Sequence, residues 1–327
     1  MAIQMQSGTI YGDRTDLLVA VQDRPLPFLP IALEVLPSQP VDKPKGQFGK
    51  LDLSNWTQNL GADGVSRAAN GRTKRVDIYT GEITFSTSEM SISTAYDDRK
   101  RSELETRFGL ESAMMEILRQ AIIIRREIIA AGLLFNTSTF PLSGTTGFTV
   151  SNDWVTSSSA KIKDDVKKAL TYLAQNGGNP MDASGVCSLN TFLQLLVAES
   201  LVNDKRYVQT PSMLVTDQNR AVIAAQLGLK DLKVGNCYYN SAAEGVTPSL
   251  TNAWDDGYFG VGNLGSAGDA PYQKCVGRTY YNTSHLGLET ADMFRDDDSR
   301  SDMLRFGCDI GQQVNFTNAF VLIDIKP

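Results

Sequence analysis

SELETRFGLESAMMEILRQAIIIRREIIAAGLLF, running from Ser102 to Phe135, is the stretch on which the reading of this chain turns. It opens with Ser102 and Glu105 in the Ser-x-x-Glu arrangement, a capping box that satisfies two backbone donors at a helix start. No proline interrupts it. Leu104, Phe108, Met115, Leu118, Ile122, Ile129 and Leu133 recur at helical spacing and form one apolar stripe. Leu110, Met114, Ile117, Ala121, Ile124 and Ile128 form a second, with Glu111, Arg119 and Glu127 interleaved. At 1.5 Å per residue such a helix reaches roughly 50 Å, against a mean of about 11–12 residues for globular helices. A rod of this length suits a flat, extended subunit that lies along its neighbours.

Working outward, the residues before the helix fall into two textures. Pro25, Pro27, Pro30, Pro37, Pro40 and Pro44 crowd one short span of the first 45 residues, which predicts a polyproline-like or edge-strand path rather than a helix. Val19, Val21, Phe28, Leu29, Ile31, Leu33, Val35 and Leu36 make this arm too apolar to stay free, so it must dock within the chain or on a neighbour. From Gly46 to Ser93 the chain turns to glycine, polar residues and short alternating runs. Arg75–Tyr79 and Glu82–Ser86 alternate as strands do, with Thr80-Gly81 between them. Gly61–Gly64 and Asn70-Gly71 read as turns. The result is a long two-stranded flap, hardly stable in isolation.

Beyond the helix, 136–154 reads as loop or strand. Ser159 is a candidate cap for a helix over Ala160–Gln175, ended by Gly177-Gly178 and Pro180. Val186–Leu189 is strand-like, and Asn190 is a candidate cap for a helix through Leu201. A helix over Asp217–Leu227 is stopped by Gly228 and followed by a strand over Leu232–Tyr239. This alternation predicts a compact α/β unit. The tail returns to β: residues 303–316 alternate over much of their length, and 319–325 form a compact apolar strand.

The bulk numbers narrow the function classes. A chain of 327 residues has room for two or three domains, and 42% hydrophobic with 21% charged residues is the balance of a folded protein. A formal charge of −6 argues against a mainly electrostatic nucleic-acid binder. Cys187, Cys237, Cys275 and Cys308 are widely spaced without a CxxC pair, which predicts buried reduced thiols. The N-terminus lacks an apolar signal core, and the segment closest to a membrane span, Ala121–Leu134, contains Arg125, Arg126 and Glu127. A cytoplasmic origin follows as the expectation, and the glycosylation sequons at Asn55, Asn136, Asn282 and Asn315 read as chance matches.

Catalytic chemistry has little to work with. Any Ser-His-Asp or Cys-His machinery would run through the single histidine, His285, which sits in a turn-like context with no nucleophile elbow before it. Gly260-Val-Gly-Asn-Leu-Gly265 matches a dinucleotide fingerprint in form, but no helix starts after it to meet a pyrophosphate. Asp296–Asp298 and Asp255-Asp256 read as solvated loop carboxylates, without EF-hand spacing. Arg125-Arg126 and Arg99–Arg101 read as intersubunit salt-bridge partners. The expectation is a protein that is not an enzyme, with no catalytic, cofactor-binding or metal-binding residues and no cofactor.

The order of elements (arm, flap, long helix, α/β unit, closing β segment) resembles the major capsid proteins of tailed bacteriophages, the Hong Kong ninety-seven-type fold shared with encapsulin shells. Arg125–Phe140 resembles the end of the spine helix in lambda-like capsid sequences, Val234–Ser241 their second-domain strand, and Asn318–Ile323 their last strand. The resemblance implies an α+β fold: an N-terminal arm over 1–45, an E-loop over 46–95, and a P domain with the spine helix over 96–149. An α/β A domain over 150–288 and a return to the P domain over 289–327 complete it. It implies a shell subunit that joins copies of itself in hexamers and pentamers of an icosahedral capsid around packaged double-stranded DNA, without sequence specificity or a membrane. A separate scaffolding protein, a portal and a decoration protein are the further implied partners, and the virion, assembled in the host cytoplasm, is the implied location. Lys50 or Lys74 would supply the amine for the isopeptide bond some members form, but no catalytic-acid context accompanies them. An encapsulin-like compartment is the nearest alternative; a cytosolic α/β enzyme or a tail-tube protein stands further off. Removal of residues 54–86 is expected to leave a soluble subunit that cannot close a shell.

Overall fold

A computed structural model describes residues 12–22, 26–51, 80–97, 110–154, 160–198, 216–243, 245–270 and 273–326. The capping box at Ser102 and Glu105, the strand at 75–79, the turns at 61–64 and 70–71, Lys74, the basic run 99–101 and Ser159 lie outside them. In chain order the strands are β1 (Gly12–Asp13), β2 (Ser38–Val41), β3 (Lys45–Leu51), β4 (Thr80–Ser86), β5 (Ser88–Asp97), β6 (Gly147–Thr149), β7 (Ser184–Ser188) and β8 (Asp231–Gly235). They continue with β9 (Tyr238–Asn240), β10 (Leu250–Asn252), β11 (Tyr258–Gly262), β12 (Gly277–Asn282), β13 (Thr290–Asp296), β14 (Ser301–Val314) and β15 (Phe320–Asp324). The helices are α1 (Thr15–Gln22), α2 (Ala32–Val35), α3 (Leu110–Leu134), α4 (Ile162–Gln175), α5 (Leu189–Val197) and α6 (Asp217–Leu227).

The long apolar run is a helix over all its described length: α3 has 25 residues. Its first half lies on a six-stranded sheet in the order β1-β13-β14-β12-β2, with β5 paired to the other side of β14. Period-two alternation along β14 sends Leu304, Phe306, Cys308 and Ile310 inward, where they bury against Met115, Leu118 and Ile122 of α3 and Leu17 and Val21 of α1. Arg305 faces the other way and pairs with Asp292, its cross-strand partner on β13. Met115, Leu118 and Ile122 of the first stripe therefore lie on the core face; in the second, Ile117 stays 66% exposed.

A second sheet runs β6-β15-β11-β7-β8, with β6–β15 and β7–β8 parallel and the rest antiparallel. β15 sits inside it, and Phe320, Val321, Leu322 and Ile323 are fully buried. Val166 and Leu173 of α4, Phe192 of α5 and Ile223 and Leu227 of α6 fill its core. The Thr216 hydroxyl accepts from Asn219 N–H to start α6, and Gly228, at φ +72°, ends it in the left-handed region that favours glycine. A third cluster joins the two sheets: Ala130, Ala131 and Leu134 of α3 meet Val35, Leu36, Trp254, Phe320 and Leu322.

Several expectations need correction. The arm does hold helix: α1 precedes the prolines, and α2 fits between Pro30 and Pro37, where Val35 N–H donates to Ile31 and Leu36 N–H to Ala32 and no proline N–H is needed. The edge-strand reading holds for β2, which carries Pro40 at a sheet edge. The arm docks on its own chain, with Val21, Ile31, Val35 and Leu36 buried. Thr80-Gly81, which the sequence places between two alternating runs, is the start of β4, which pairs with β3 from Lys45↔Ser86 to Leu51↔Thr80. Residues 88–93, placed in the flap by sequence, belong to β5, which runs along β14. Ser188, not Asn190, caps α5, because its hydroxyl accepts from Thr191 N–H while Asn190 lies in the first turn. The strand expected over 232–239 breaks at Asn236-Cys237 into β8 and β9.

Candidate functional site

Glu127 is the most deeply placed acidic group in the described molecule's helix junction. α3 carries it into the third cluster, where it is 1% exposed. One carboxylate oxygen accepts from the backbone N–H of Ala32 at 2.7 Å, and the other accepts from Trp254 Nε1 at 2.8 Å. A single side chain thus ties the arm, the long helix and the loop before β11, which are remote in sequence. Burial pushes its carboxyl above the usual range, and the two donated hydrogen bonds oppose that rise without cancelling it. Trp254, fully buried, stands edge-on to Phe135 at 5.4 Å. Gly235 lies beneath its indole, where an added Cβ would sit 2.6 Å from Trp254 Cγ.

One residue earlier, Arg126 is 3% exposed and donates to Glu289 at 2.8 Å, and Arg119 approaches the same carboxylate at 3.5 Å. Arg119 also donates to the Val21 carbonyl at 3.2 Å. The expectation that Arg126 faces another subunit is therefore corrected: it locks α3 to the segment before β13, because a buried guanidinium requires a partner nearby. Arg125, next to it, is exposed.

The flap is anchored at its base by stacked rings. Phe48 of β3, Phe85 of β4 and Tyr280 of β12 stack at centroid distances of 5.0 to 5.8 Å. An added Cβ on Gly46 would lie 2.6 Å from the Phe85 ring, so only glycine lets the ring close over the strand. Lys50 stands 4.5 Å over the Phe316 ring and near the Asn315 carbonyl. Its amine is thus engaged within its own chain.

A cleft of about 970 Å³ opens between α2, β8 and the 263–274 loop, lined by Glu34, Asp182, Asp231, Asp269, Lys230, Lys233 and Lys274 among others. Two of its three lysines are ion-paired within it. Lys233 bridges Glu34 at 2.7 Å and Asp231 at 2.8 Å, and Lys230 reaches Asp182 at 3.3 Å. Burial alone lowers the Lys233 ammonium, but its hydrogen bonds to Asp231 and Glu34 outweigh that and raise it. Lys274 donates to the Asn176 carbonyl at 2.7 Å, so each lysine of the cleft already has a partner within the chain.

The residues weighed for chemistry fall elsewhere and apart. His285 is half-exposed in the turn after β12, with Nδ1 3.5 Å from Asp309 Oδ2, and Asn282 donates to the same oxygen at 2.9 Å. Gly260 and Gly262 lie within β11 beneath the Phe320 ring, so their glycines serve sheet packing. Asp296 accepts from Asp298 N–H and the Ser299 hydroxyl in a turn; Asp256 accepts from Asn190 and Asn252, and Asp255 from Gly257 N–H. Among the described residues no group of His, Cys, Asp and Glu has a metal-binding arrangement, and no helix is long and apolar enough to cross a membrane. All four cysteines are buried and free; burial raises Cys237 to about 12 and Cys308 to about 11.

Sequence reading missed Glu127, Trp254 and the ring stack. Glu127 left a usable signal, since it stands among Ile123, Ala130, Ala131 and Leu134, at positions where a surface charge does not belong. The ring stack left none, because its members come from three remote segments.

A two-stranded flap base, a long helix laid on a mainly antiparallel six-stranded sheet, and a second α/β unit joined through that helix define the class: this is the fold of phage major capsid proteins. No protein-family model matches the sequence, and no curated protein does. Among solved structures, a phage-related protein from Bordetella bronchiseptica RB50 superposes with a TM-score of 0.69 at 15% identity, over 97% of this chain and 98% of that one. The Mycobacterium phage Che8 structure gives 0.55 at 13% identity, over 99% of both chains. The bacteriophage PhiM1 mature capsid gives 0.55 at 12% identity, over 99% of this chain and 92% of that one.

Proposed function

We propose that this chain is the major shell subunit of a tailed-phage capsid, self-assembling as hexamers and pentamers into an icosahedral shell around double-stranded DNA. The observation that carries this reading is the likeness to phage capsid subunits over nearly the whole of both chains, with no part left over for a separate activity. The arm would be residues 1–45, the E-loop 46–95, the P domain 96–149 with α3 as its spine helix, the A domain 150–288, and the return to P 289–327. Two separate cores, α3 with the six-stranded sheet and α4–α6 with the second sheet, support two units, although β15 of the last segment lies in the second sheet and β5 and β12 lie in the first. The flap is only two strands wide at its base, and such a ribbon gains stability by lying over a neighbouring copy.

In this reading the protein's work is assembly, not catalysis. A scaffolding protein, a portal and a decoration protein are the accessory partners, and the virion is its place. Negative-stain electron microscopy with analytical ultracentrifugation of the purified chain tests it. Closed polyhedral particles or rings of five and six support the reading, and nuclease-protected DNA in particles from infected cells separates a phage shell from a protein-filled compartment. A compact monomer or dimer with no larger species, even beside co-expressed neighbouring genes, overturns it. Because Phe85 belongs to the ring stack, removal of residues 54–79 is a cleaner test of the flap than removal of 54–86.

A further inference from the structure

Residues 26–41 run from one unit of the molecule to the other. At one end Leu29 bridges Asn236, at the exit of β8 in the second sheet. At the other, β2 pairs in parallel with β12 of the first sheet, from Ser38↔Thr279 to Val41↔Asn282. Thr279 fastens that end further: its hydroxyl donates to the Leu36 carbonyl at 2.8 Å and its N–H to the Pro37 carbonyl at 3.0 Å. α2 lies between these two attachments. One short segment is therefore fixed to both sheets, whose cores are separate.

The two sides of α2 are held differently. One side carries Ala32 and Val35 into the third cluster, and the Ala32 N–H donates to Glu127. The other, with Leu33, Glu34 and then Pro37, lines the cleft of about 970 Å³ together with Lys230, Asp231 and Lys233. Close-packed interiors leave few voids larger than a water molecule, so the seam is open here rather than filled. What crosses it is the ion pair from Lys233 to Glu34 at 2.7 Å, between partly exposed side chains. Pairs of this kind hold weakly. An open seam crossed by a weak pair is where relative motion of two units concentrates.

We infer that residues 26–41 are an adjustable brace that sets the angle between the two units of the subunit. The cleft is the space into which α2 tilts, the third cluster is the pivot, and the Lys233–Glu34 pair is the catch. Asp231 shares the Lys233 ammonium at 2.8 Å, so the lysine keeps a partner when the catch opens. Two discrete arrangements, catch closed and catch open, follow from that second partner. The inference rests on the capsid reading and adds a regulation to it. Rings of five and six bend a shell differently, and the brace lets one sequence take both bends.

The test reads the angle as a distance. Val19→Cys in the first unit and Met181→Cys in the second replace exposed side chains and take nitroxide labels in the full chain, while the native thiols are buried. With the catch intact, double electron–electron resonance is expected to give one narrow distance. Glu34→Lys sets two ammonium groups against each other and is expected to broaden that distribution and add a second maximum. Adding Lys233→Glu reverses the pair and is expected to restore the narrow distance. An unchanged distribution in Glu34→Lys overturns the brace. So does a change that Lys233→Glu fails to reverse, because a merely disturbed fold gives that result. In electron micrographs of shells, Glu34→Lys is expected to widen the spread of particle diameters and the reversed pair to narrow it again; wild-type diameters throughout overturn the link to curvature. Failure of the chain with its native catch to assemble, while the distance responds as expected, counts against the capsid reading and leaves the brace standing.

Discussion

Replacing Glu127 with alanine removes the one acceptor shared by the arm, the long helix and the loop before β11. The Ala32 N–H and Trp254 Nε1–H then lose their partner in a site sealed from water. Each buried donor left without an acceptor costs about 1–3 kcal/mol. Against this, the variant no longer keeps a carboxylate whose ionised form burial disfavours. The net expected loss is about 2–4 kcal/mol. Guanidinium unfolding followed by tryptophan fluorescence measures it, with Trp254 itself a reporter. The pH dependence has a definite sign. The folded carboxyl titrates above its ordinary value of 4.5, so well below 4.5 the group is neutral in both states. As pH rises through the folded value, the folded state holds a disfavoured charge and wild-type stability falls relative to the variant. The gap between wild type and Glu127→Ala should therefore narrow as pH rises above 4.5. A loss under about 0.5 kcal/mol, or a gap that widens with pH, would refute the reasoning.

Tyr280→Ala should free the flap base, costing about 3–5 kcal/mol and speeding amide exchange in β3 and β4; Tyr280→Phe should keep most of the protection while losing the hydrogen bond from Asn315. Gly235→Ala should lose about 1–3 kcal/mol through overpacking against Trp254, seen as a lower guanidinium midpoint and a changed near-ultraviolet spectrum. The four thiols should resist an aromatic disulfide reagent at pH 8 in the folded protein and react together on unfolding, because burial raises each of them.

The long helix, the tail strands and the α/β alternation were legible because each writes a period into local sequence. Leu304, Phe306, Cys308 and Ile310 announce a strand face, and Thr216 and Gly228 mark both ends of α6. What the local pattern does not carry is pairing. Nothing near Glu82 says that its strand partners Gly49 across 32 intervening positions rather than the alternating run just before it. The break at Asn236-Cys237 is equally hidden, since the residues keep strand character while Leu29 bridges to Asn236 and bends the path. Arg126 looked like a surface charge because charge alone was visible; its partner Glu289 lies 163 positions away. The candidate site was the least legible part, being built from contacts among segments that share no local signal.

β14 touches β5, β12 and β13 at once, and its inner face is the floor beneath α3. A slip of one residue would turn every one of its side chains to the wrong face. It would also misplace the flap base, because Gln313 of β14 holds the Thr84 carbonyl and Tyr280 of β12 is set by the same register. Errors in this chain are consequently shared rather than local. Under the capsid reading proposed above, a copy with a misregistered strand would present no half-correct surface to its neighbours, and lattice growth would double as an inspection that admits a subunit whole or turns it away.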